Sequence, residues 1–183
     1  MPASRPGCFD LDLDLAAAVA PELFDSAEKS VAVAHWRRQL PGLLMHGDTQ
    51  PALVIAVAPV IVASYSDDLD AVVLLRLPDD AAGASSLAVG DRLVTVNSYV
   101  ERRQFVADDI VCGPRAGTSW GNVTPVVVRL VNRQTRLQHR RLQQIADHEW
   151  RALDEALARR RALFGDRRVR DARPHRCGEP VSA

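Results

Sequence analysis

Apolar and polar positions alternate through the middle of the chain in short blocks that predict β-strands. The longest block, "PALVIAVAPVIVASY", is rich in β-branched residues, and Pro59 either divides it into two short strands or places a bulge within one. Polar turn clusters separate this block from the later ones. The blocks predicted as strands lie at 52–63, 71–77, 93–98 and 124–131. Four or five short strands within 52–131 predict one antiparallel sheet or a small partial barrel.

Helical patterns flank this region on both sides. On the N-terminal side, a helix is predicted at about 26–40, beginning after Asp25 or Ser26 and ending at Pro41. On the C-terminal side, two helices are predicted within about 133–164, and the second has an apolar stripe with acids early and arginines late. The predicted fold class is therefore α+β, with helices covering the sheet.

The chain is predicted to form one domain over residues 1–165, with residues 1–8 as a loose terminus. Residues 166–183 contain too few apolar side chains to build a core and are predicted to form a flexible basic tail. The stretch "DLDLDLAAAVA" is ambiguous, because its alternation favours a strand and its alanines favour a helix.

Charge is balanced overall but unevenly distributed along the chain. The 183 residues have a net charge of zero, yet residues 1–100 hold 6 Lys and Arg against 13 Asp and Glu, whereas residues 101–183 hold 17 against 10. These halves of net −7 and +7 are predicted to attract each other within the fold or between copies, or to meet different partners. Lys29 is the single lysine. Abundant Arg and Ala are typical of a GC-rich, bacterial-like genome, which weakens arginine content as a sign of phosphate binding.

Neither a membrane segment nor an export signal is predicted. The longest apolar run, at 52–63, has twelve residues and contains Pro59, whereas a bilayer span needs about 20. The N-terminus lacks a basic region followed by an apolar one. The three cysteines are far apart and favour neither a disulfide framework nor a zinc ribbon. We therefore expect a cytoplasmic protein with reduced thiols and no membrane partner.

The segment "CGPRAGTSWGNVTP" has the composition of a binding loop. Its glycines allow close backbone approach, and its amides, hydroxyls and arginine suit a phosphate or carboxylate. Its spacing matches neither the phosphate-loop nor the dinucleotide fingerprint. The alternative is a plain connection whose tryptophan packs on the core and whose polar side chains satisfy turn backbone. The candidate binding residues of this 112–122 loop are Arg115, Thr118, Ser119, Trp120 and Asn122.

A catalytic set can be written from Cys112, His46 and Asp48, with the thiol as nucleophile. No local signature of a cysteine or serine hydrolase surrounds them, and a buried thiol at Cys112 is the alternative. No catalytic residue is therefore assigned.

Metal and cofactor sites are not predicted either. The five histidines are scattered, with no pair spaced to share one helix face. The alternating aspartates near the N-terminus do not match a calcium loop, because Leu15 and Pro21 stand where Gly and Glu are needed.

Arginines concentrate on the first C-terminal helix and just before it. Three of them, spaced i, i+3 and i+7, are predicted to line one face. No aromatic residues interleave for base stacking, and no helix-turn-helix pair is evident. The predicted basic surface comprises Arg129, Arg133, Arg136, Arg140 and Arg141.

The missing catalytic signatures, the charge split and the amphipathic C-terminal helix together predict a non-catalytic interaction or accessory protein, with a protein partner or self-association. Two alternatives remain open: a small-molecule binder or enzyme that uses the 112–122 loop, and nucleic-acid binding through the arginine-rich C-terminal half.

Overall fold

The computed structural model describes residues 5–25, 30–79, 81, 86–101 and 106–176. The helices are α1 (Leu13–Val19), α2 (Val31–His46), α3 (Thr135–Gln144) and α4 (Asp147–Phe164). The strands are β1 (Thr49–Val57), β2 (Val60–Ser66), β3 (Ala71–Arg76), β4 (Arg92–Glu101), β5 (Trp120–Val127) and β6 (Arg170–Asp171). The predicted α+β fold class is confirmed.

The six strands form one curled sheet, a half-barrel, in the order β5-β4-β1-β2-β3-β6. All neighbours pair antiparallel except β3 and β6, which pair parallel. The sequence left open whether 52–63 forms one strand or two, and the structure shows two. Ala58 and Pro59 form the tight turn between β1 and β2, and the register shifts near Ile55 between Val54 and Ala56.

Helix α1 resolves the ambiguous acidic stretch. The Asp12 carboxylate accepts a hydrogen bond from Leu15 N (2.9 Å) and caps the helix, so one of the alternating aspartates serves as a cap. Helix α2 begins at Val31 and continues through Pro41 to His46, past its predicted end, and residues 26–29 of the predicted helix lie outside the described residues. A proline inside a helix costs about 3 kcal/mol, and burial of Leu44 in the last turn offsets this cost.

The C-terminal helices occupy the predicted region. Ala146 precedes α4, and the Glu149 carboxylate accepts a hydrogen bond from Ala146 N (2.9 Å). Gly165 ends the helix with φ +60°, a conformation that favours glycine. Within the described residues, no helix is long and apolar enough to cross a bilayer.

Part of the N-terminal segment lies against the rest of the fold. Of the residues 1–8 predicted to be loose, Arg5 lies beside the start of β1, where its carbonyl accepts a hydrogen bond from Thr49 N (3.0 Å), and Cys8 N donates to the Met45 carbonyl at the end of α2 (3.0 Å). Residues 1–4 lie outside the described part of the chain.

The predicted flexible tail also begins with packed residues. Residues 166–176 of it include β6, and the Arg170 side chain in β6 is only 5% exposed. Its guanidinium holds Asp109 through two contacts of 2.6 and 2.5 Å and donates to the Val123 carbonyl of β5 (2.7 Å). The two edge strands of the half-barrel therefore approach each other across this guanidinium. Residues 177–183 lie outside the described residues.

We expect the buried Arg170–Asp109 pair to be a major determinant of stability. Arg170→Met removes the cation and leaves a mostly buried carboxylate and a carbonyl without their donor. The substitution should lower the free energy of unfolding by about 3–5 kcal/mol, measured by chemical denaturation. The control is Arg161→Gln, which breaks the exposed Arg161–Asp166 pair and should cost less than about 1 kcal/mol. Equal losses of unfolding free energy in the two variants would contradict a stabilising role for the buried Arg170–Asp109 pair.

Candidate functional site

The buried carboxylate of Asp70 lies at the centre of the region that the 112–122 loop occupies. Asp70 is fully buried in the turn between β2 and β3, with φ +43°. The Tyr65 hydroxyl donates to one carboxylate oxygen (2.9 Å), and Arg115 Nη2 approaches the same oxygen at 2.9 Å. Arg159 of α4 adds an ion pair at 3.3 Å and donates to the Asp70 carbonyl (2.6 Å). This carboxylate therefore joins the sheet, the loop and α4.

The loop is attached to the β2–β3 turn through its backbone as well. Gly113 N donates to the Asp70 carbonyl (3.0 Å), and Gly117 N donates to the Asp68 carbonyl (2.8 Å). The main-chain N–H of Arg115 donates to the second oxygen of Asp70 (3.2 Å). Arg115, which could have bound an anionic ligand, is thus bound to a carboxylate of the protein, and the Gly113 and Gly117 amides are bound to backbone carbonyls.

These contacts shift the pKa values of the Asp70 carboxyl and the Tyr65 hydroxyl. Burial alone would raise the pKa of Asp70, but hydrogen bonds from Arg115 and Tyr65 and the charge of Arg159 hold it below its usual value. The pKa of Tyr65 is raised, first by burial and then by its hydrogen bond to Asp70. Asp70 is therefore an anion and Tyr65 a neutral donor near neutral pH.

The other predicted loop residues are placed apart from Asp70. Thr118 and Ser119 are exposed. Trp120 begins β5, and its ring packs against that of Tyr99, with centroids 5.4 Å apart. Asn122 accepts a hydrogen bond from the backbone of the next residue, Val123 N (2.8 Å). Of the five candidates, only Arg115 belongs to the Asp70 network, and a ligand-binding role for the loop stays a prediction.

The proposed catalytic set gains no geometric support. His46 is the exposed last residue of α2. Asp48 accepts hydrogen bonds from Arg5 N (2.7 Å) and Gln50 Nε2 (3.2 Å). Cys112 is exposed, not buried as the alternative reading expected. Within the described residues, no group of three His, Cys, Asp or Glu side chains could hold a metal ion.

The predicted basic surface divides into engaged and exposed arginines. Arg129 donates to Ser86 Oγ (2.7 Å), Arg133 pairs with Asp12 (3.4 Å), and Arg141 donates to the Gly7 carbonyl (3.1 Å). Arg136 and Arg140 are exposed and, in the described part of the chain, make no hydrogen bond or ion pair. Of the predicted arginine face, Arg136 and Arg140 therefore stay without a partner among the described residues, whereas Arg133 is paired with Asp12.

Part of the charge separation along the sequence is neutralised inside the fold. Arg5 binds Glu149 of α4, and Glu22 accepts contacts from Arg176 (2.7 Å) and from His175 (2.8 Å) near the C-terminus. Three acids of the acidic half, Asp12, Glu22 and Asp70, pair with arginines of the basic half, whereas Arg5–Glu149 joins the halves in the opposite sense. The charged side chains that can bind another molecule are those outside these ion pairs.

A polar stripe inside the half-barrel was missed by the sequence reasoning. Its members occupy alternate positions on β1, β2 and β4, so they share one face of the sheet. Ser64 and Thr95 hydroxyls lie 3.0 Å apart, and the Tyr99 hydroxyl accepts a hydrogen bond from Ser66 (3.3 Å). The stripe comprises Gln50, Ser64, Ser66, Thr95, Asn97 and Tyr99. Alternating polar residues within apolar strands were the signal that could have revealed it.

Two side-chain oxygens of this stripe have no hydrogen-bond donor. Gln50 is fully buried and Asn97 is 3% exposed, and both Gln50 Oε1 and Asn97 Oδ1 lack a partner within the described residues. Leaving a buried acceptor unpaired costs about 1–3 kcal/mol. The protein thus retains two unfavourable acceptors at one end of the sheet.

Comparison of the chain with protein-family models, with curated proteins and with solved structures found no match. The functional argument therefore depends on the fold and on the contacts described above.

We expect Gly113 to be required for the Asp70 network. A Cβ atom built at Gly113 would overlap the Asp70 carboxylate and the Arg159 guanidinium. Gly113→Ala should therefore lower the free energy of unfolding by about 1–3 kcal/mol, measured by urea denaturation. The matched control is Gly117→Ala, whose Cβ would lie 3.5 Å from the Asp68 carbonyl, an ordinary contact. Equal stability of both variants would show that the close approach of Asp70 and Arg159 does not require a glycine at position 113.

The lowered pKa of Asp70 predicts a specific pH dependence. Its stabilising effect is fully present above the unfolded pKa of about 3.9 and is lost as pH falls through the lower folded pKa. Asp70→Asn should cost about 1–3 kcal/mol at pH 7, and the gap to wild type should narrow below about pH 4. Unfolding curves recorded between pH 3 and 7 would measure the gap. A gap that is constant across this range would contradict the assignment.

Proposed function

We propose that this protein is a non-catalytic interaction protein that binds an acidic surface of a partner protein through α3. The observation that carries the proposal is the exposed pair Arg136 and Arg140, to which the fold supplies no acidic partner within the described residues. They stand four residues apart and therefore share one face of the helix.

The helix is built as a surface element. None of its residues is fully buried, and Leu137 and Leu142 pack against the core as half-buried side chains. It contains three arginines and no acid. Like charges spaced i, i+4 destabilise a helix by about 0.2–0.5 kcal/mol per pair. A partner carboxylate would relieve this repulsion, so binding and helix stability favour each other.

The chemistry of α3 favours an acidic protein over a nucleic acid. The helix carries no aromatic residue for base stacking. The exposed acids Asp147, Asp154 and Glu155 follow on α4, and they would repel a phosphate backbone that extends past α3. A compact acidic patch on a protein avoids this repulsion.

Two features support a non-catalytic role. The Asp70 network occupies the anion-binding groups of the 112–117 segment. The contacts of Asp48 with Arg5 and Gln50 join β1 to the N-terminal segment. Neither arrangement resembles a nucleophile oriented by a base.

We expect the double substitution Arg136→Gln/Arg140→Gln to release the partner. Native mass spectrometry of gently purified protein should show the 20.0 kDa chain together with a second polypeptide. Loss of two charge contacts should weaken the complex by about tenfold or more, since each 1.4 kcal/mol is a factor of ten.

The control is Arg38→Gln, which removes an exposed arginine from α2 and should leave the complex intact. A bare monomer from wild-type protein would contradict the proposal, as would equal loss in the control. Binding of duplex DNA at low salt that the double substitution abolishes would replace the acidic protein with a nucleic acid.

A further inference from the structure

A histidine lies between the two unpaired arginines on the exposed side of α3. Arg136, His139 and Arg140 are all exposed, and residues three or four positions apart share one side of a helix. The other side of α3 packs on the protein, where Leu137 and Leu142 are half-buried. We call the three exposed side chains the outer face of α3. They form the surface to which the proposed function assigns an acidic partner, so the inference below rests on that proposed function.

Within the described residues, the interaction of His139 is with Gln143, one turn further along α3. Gln143 Nε2 lies 3.0 Å from His139 Nε2. A neutral ring accepts an N–H of the amide at this nitrogen, whereas a protonated ring donates its own N–H to the amide oxygen after the amide has turned over. Gln143 therefore holds the ring in place in both protonation states.

The acids around α3 are directed to other groups than His139. Asp12 pairs with Arg133 (3.4 Å), and the Asp10 carboxylate accepts a hydrogen bond from Gln134 Nε2 (2.8 Å). In the described part of the chain, none of the titratable groups on the neighbouring segments forms a hydrogen bond or an ion pair with His139. These groups are Arg5, Cys8, Asp10 and Asp12 of the N-terminal segment, Arg92 and Glu101 of β4, Arg133 and Arg141, and Asp147, His148 and Glu149 of α4.

We propose that α3 binds its acidic partner more tightly as the pH falls below neutrality, because His139 then adds a third positive charge beside Arg136 and Arg140. Histidine is the side chain whose charge ordinarily changes between about pH 5 and 8. In the free protein the two arginines oppose this added charge, since like charges on one helix face repel each other. Partner carboxylates over the outer face compensate the repulsion, so proton uptake and partner binding favour each other.

The outer face also defines the acidic group that fits it. Side chains three or four residues apart on a helix have Cβ atoms about 5–6 Å apart. Two or three carboxylates with a similar spacing, rather than a single one, match three positive charges. A short run of glutamates presents such a cluster and serves as the probe.

The test measures the affinity of the full-length protein for dye-labelled hexaglutamate by fluorescence anisotropy. Measurements run between about pH 8 and about pH 6, a range in which the probe stays ionised, at an ionic strength of about 0.02 M, where exposed charges are weakly screened. The wild-type affinity should rise by about threefold to fivefold from the upper to the lower pH, as expected for one added exposed ion pair.

Two substitutions of the histidine should have opposite effects. His139→Gln removes the titrating ring, so its affinity should equal that of wild type at about pH 8 and should not rise towards about pH 6. His139→Arg keeps the third charge at every pH, so it should bind at the higher affinity throughout. The matched control is His35→Gln, which removes an exposed histidine from α2 and should keep the wild-type rise.

The outcomes separate this inference from the proposed function. A wild-type affinity that does not change with pH, or an equal rise in wild type and His139→Gln, overturns the inference alone. Loss of the rise in the His35→Gln control also overturns it. Absence of probe binding at every pH overturns both, as does binding that Arg136→Gln/Arg140→Gln leaves unchanged.

Discussion

The arrangement of the fold depends most on the interactions around the buried carboxylate of Asp70. A charge removed from water is tolerated only when hydrogen bonds and opposite charges surround it. Tyr65 from β2, Arg115 from the loop and Arg159 from α4 supply these partners. Because the three come from distant parts of the chain, the network holds the sheet, the loop and the helix in one arrangement. Gly113 fits there because it has no side chain.

The need for an opposite charge also explains other ion pairs of the molecule. Several ion pairs join the acidic half to the basic half, such as Asp12–Arg133 and Glu22–Arg176. The charged side chains outside these ion pairs are informative, because an exposed, unpaired charge gains most from binding an opposite charge on another molecule. Arg136 and Arg140 of α3 are two such charges within the described residues.

The interior of the half-barrel is unusual in combining close packing with unpaired acceptors. Small barrels fill their interior with side chains, and here several of these are polar. Gln50 and Asn97 keep oxygens without donors, although an apolar residue of similar size would avoid the cost. Departure from the most stable solution is expected where a site binds something. The polar stripe is therefore chemically distinct from the rest of the core.

Local pattern was sufficient to predict the fold class, the strand region and the C-terminal helices, because periodicity, caps and turns act over a few neighbouring residues. It also identified Arg115 as notable, but not its partner. The Arg115–Asp70 bond spans 45 residues and the Arg5–Glu149 bond 144, and such pairings form only when the sheet has curled and α4 has packed on it. For the same reason, the contacts of residues 166–176, the engagement of three of the five predicted surface arginines and the polar stripe could not be inferred from composition. Contacts between residues far apart in sequence assigned those roles, because burial and the choice of charge partner depend on the folded geometry.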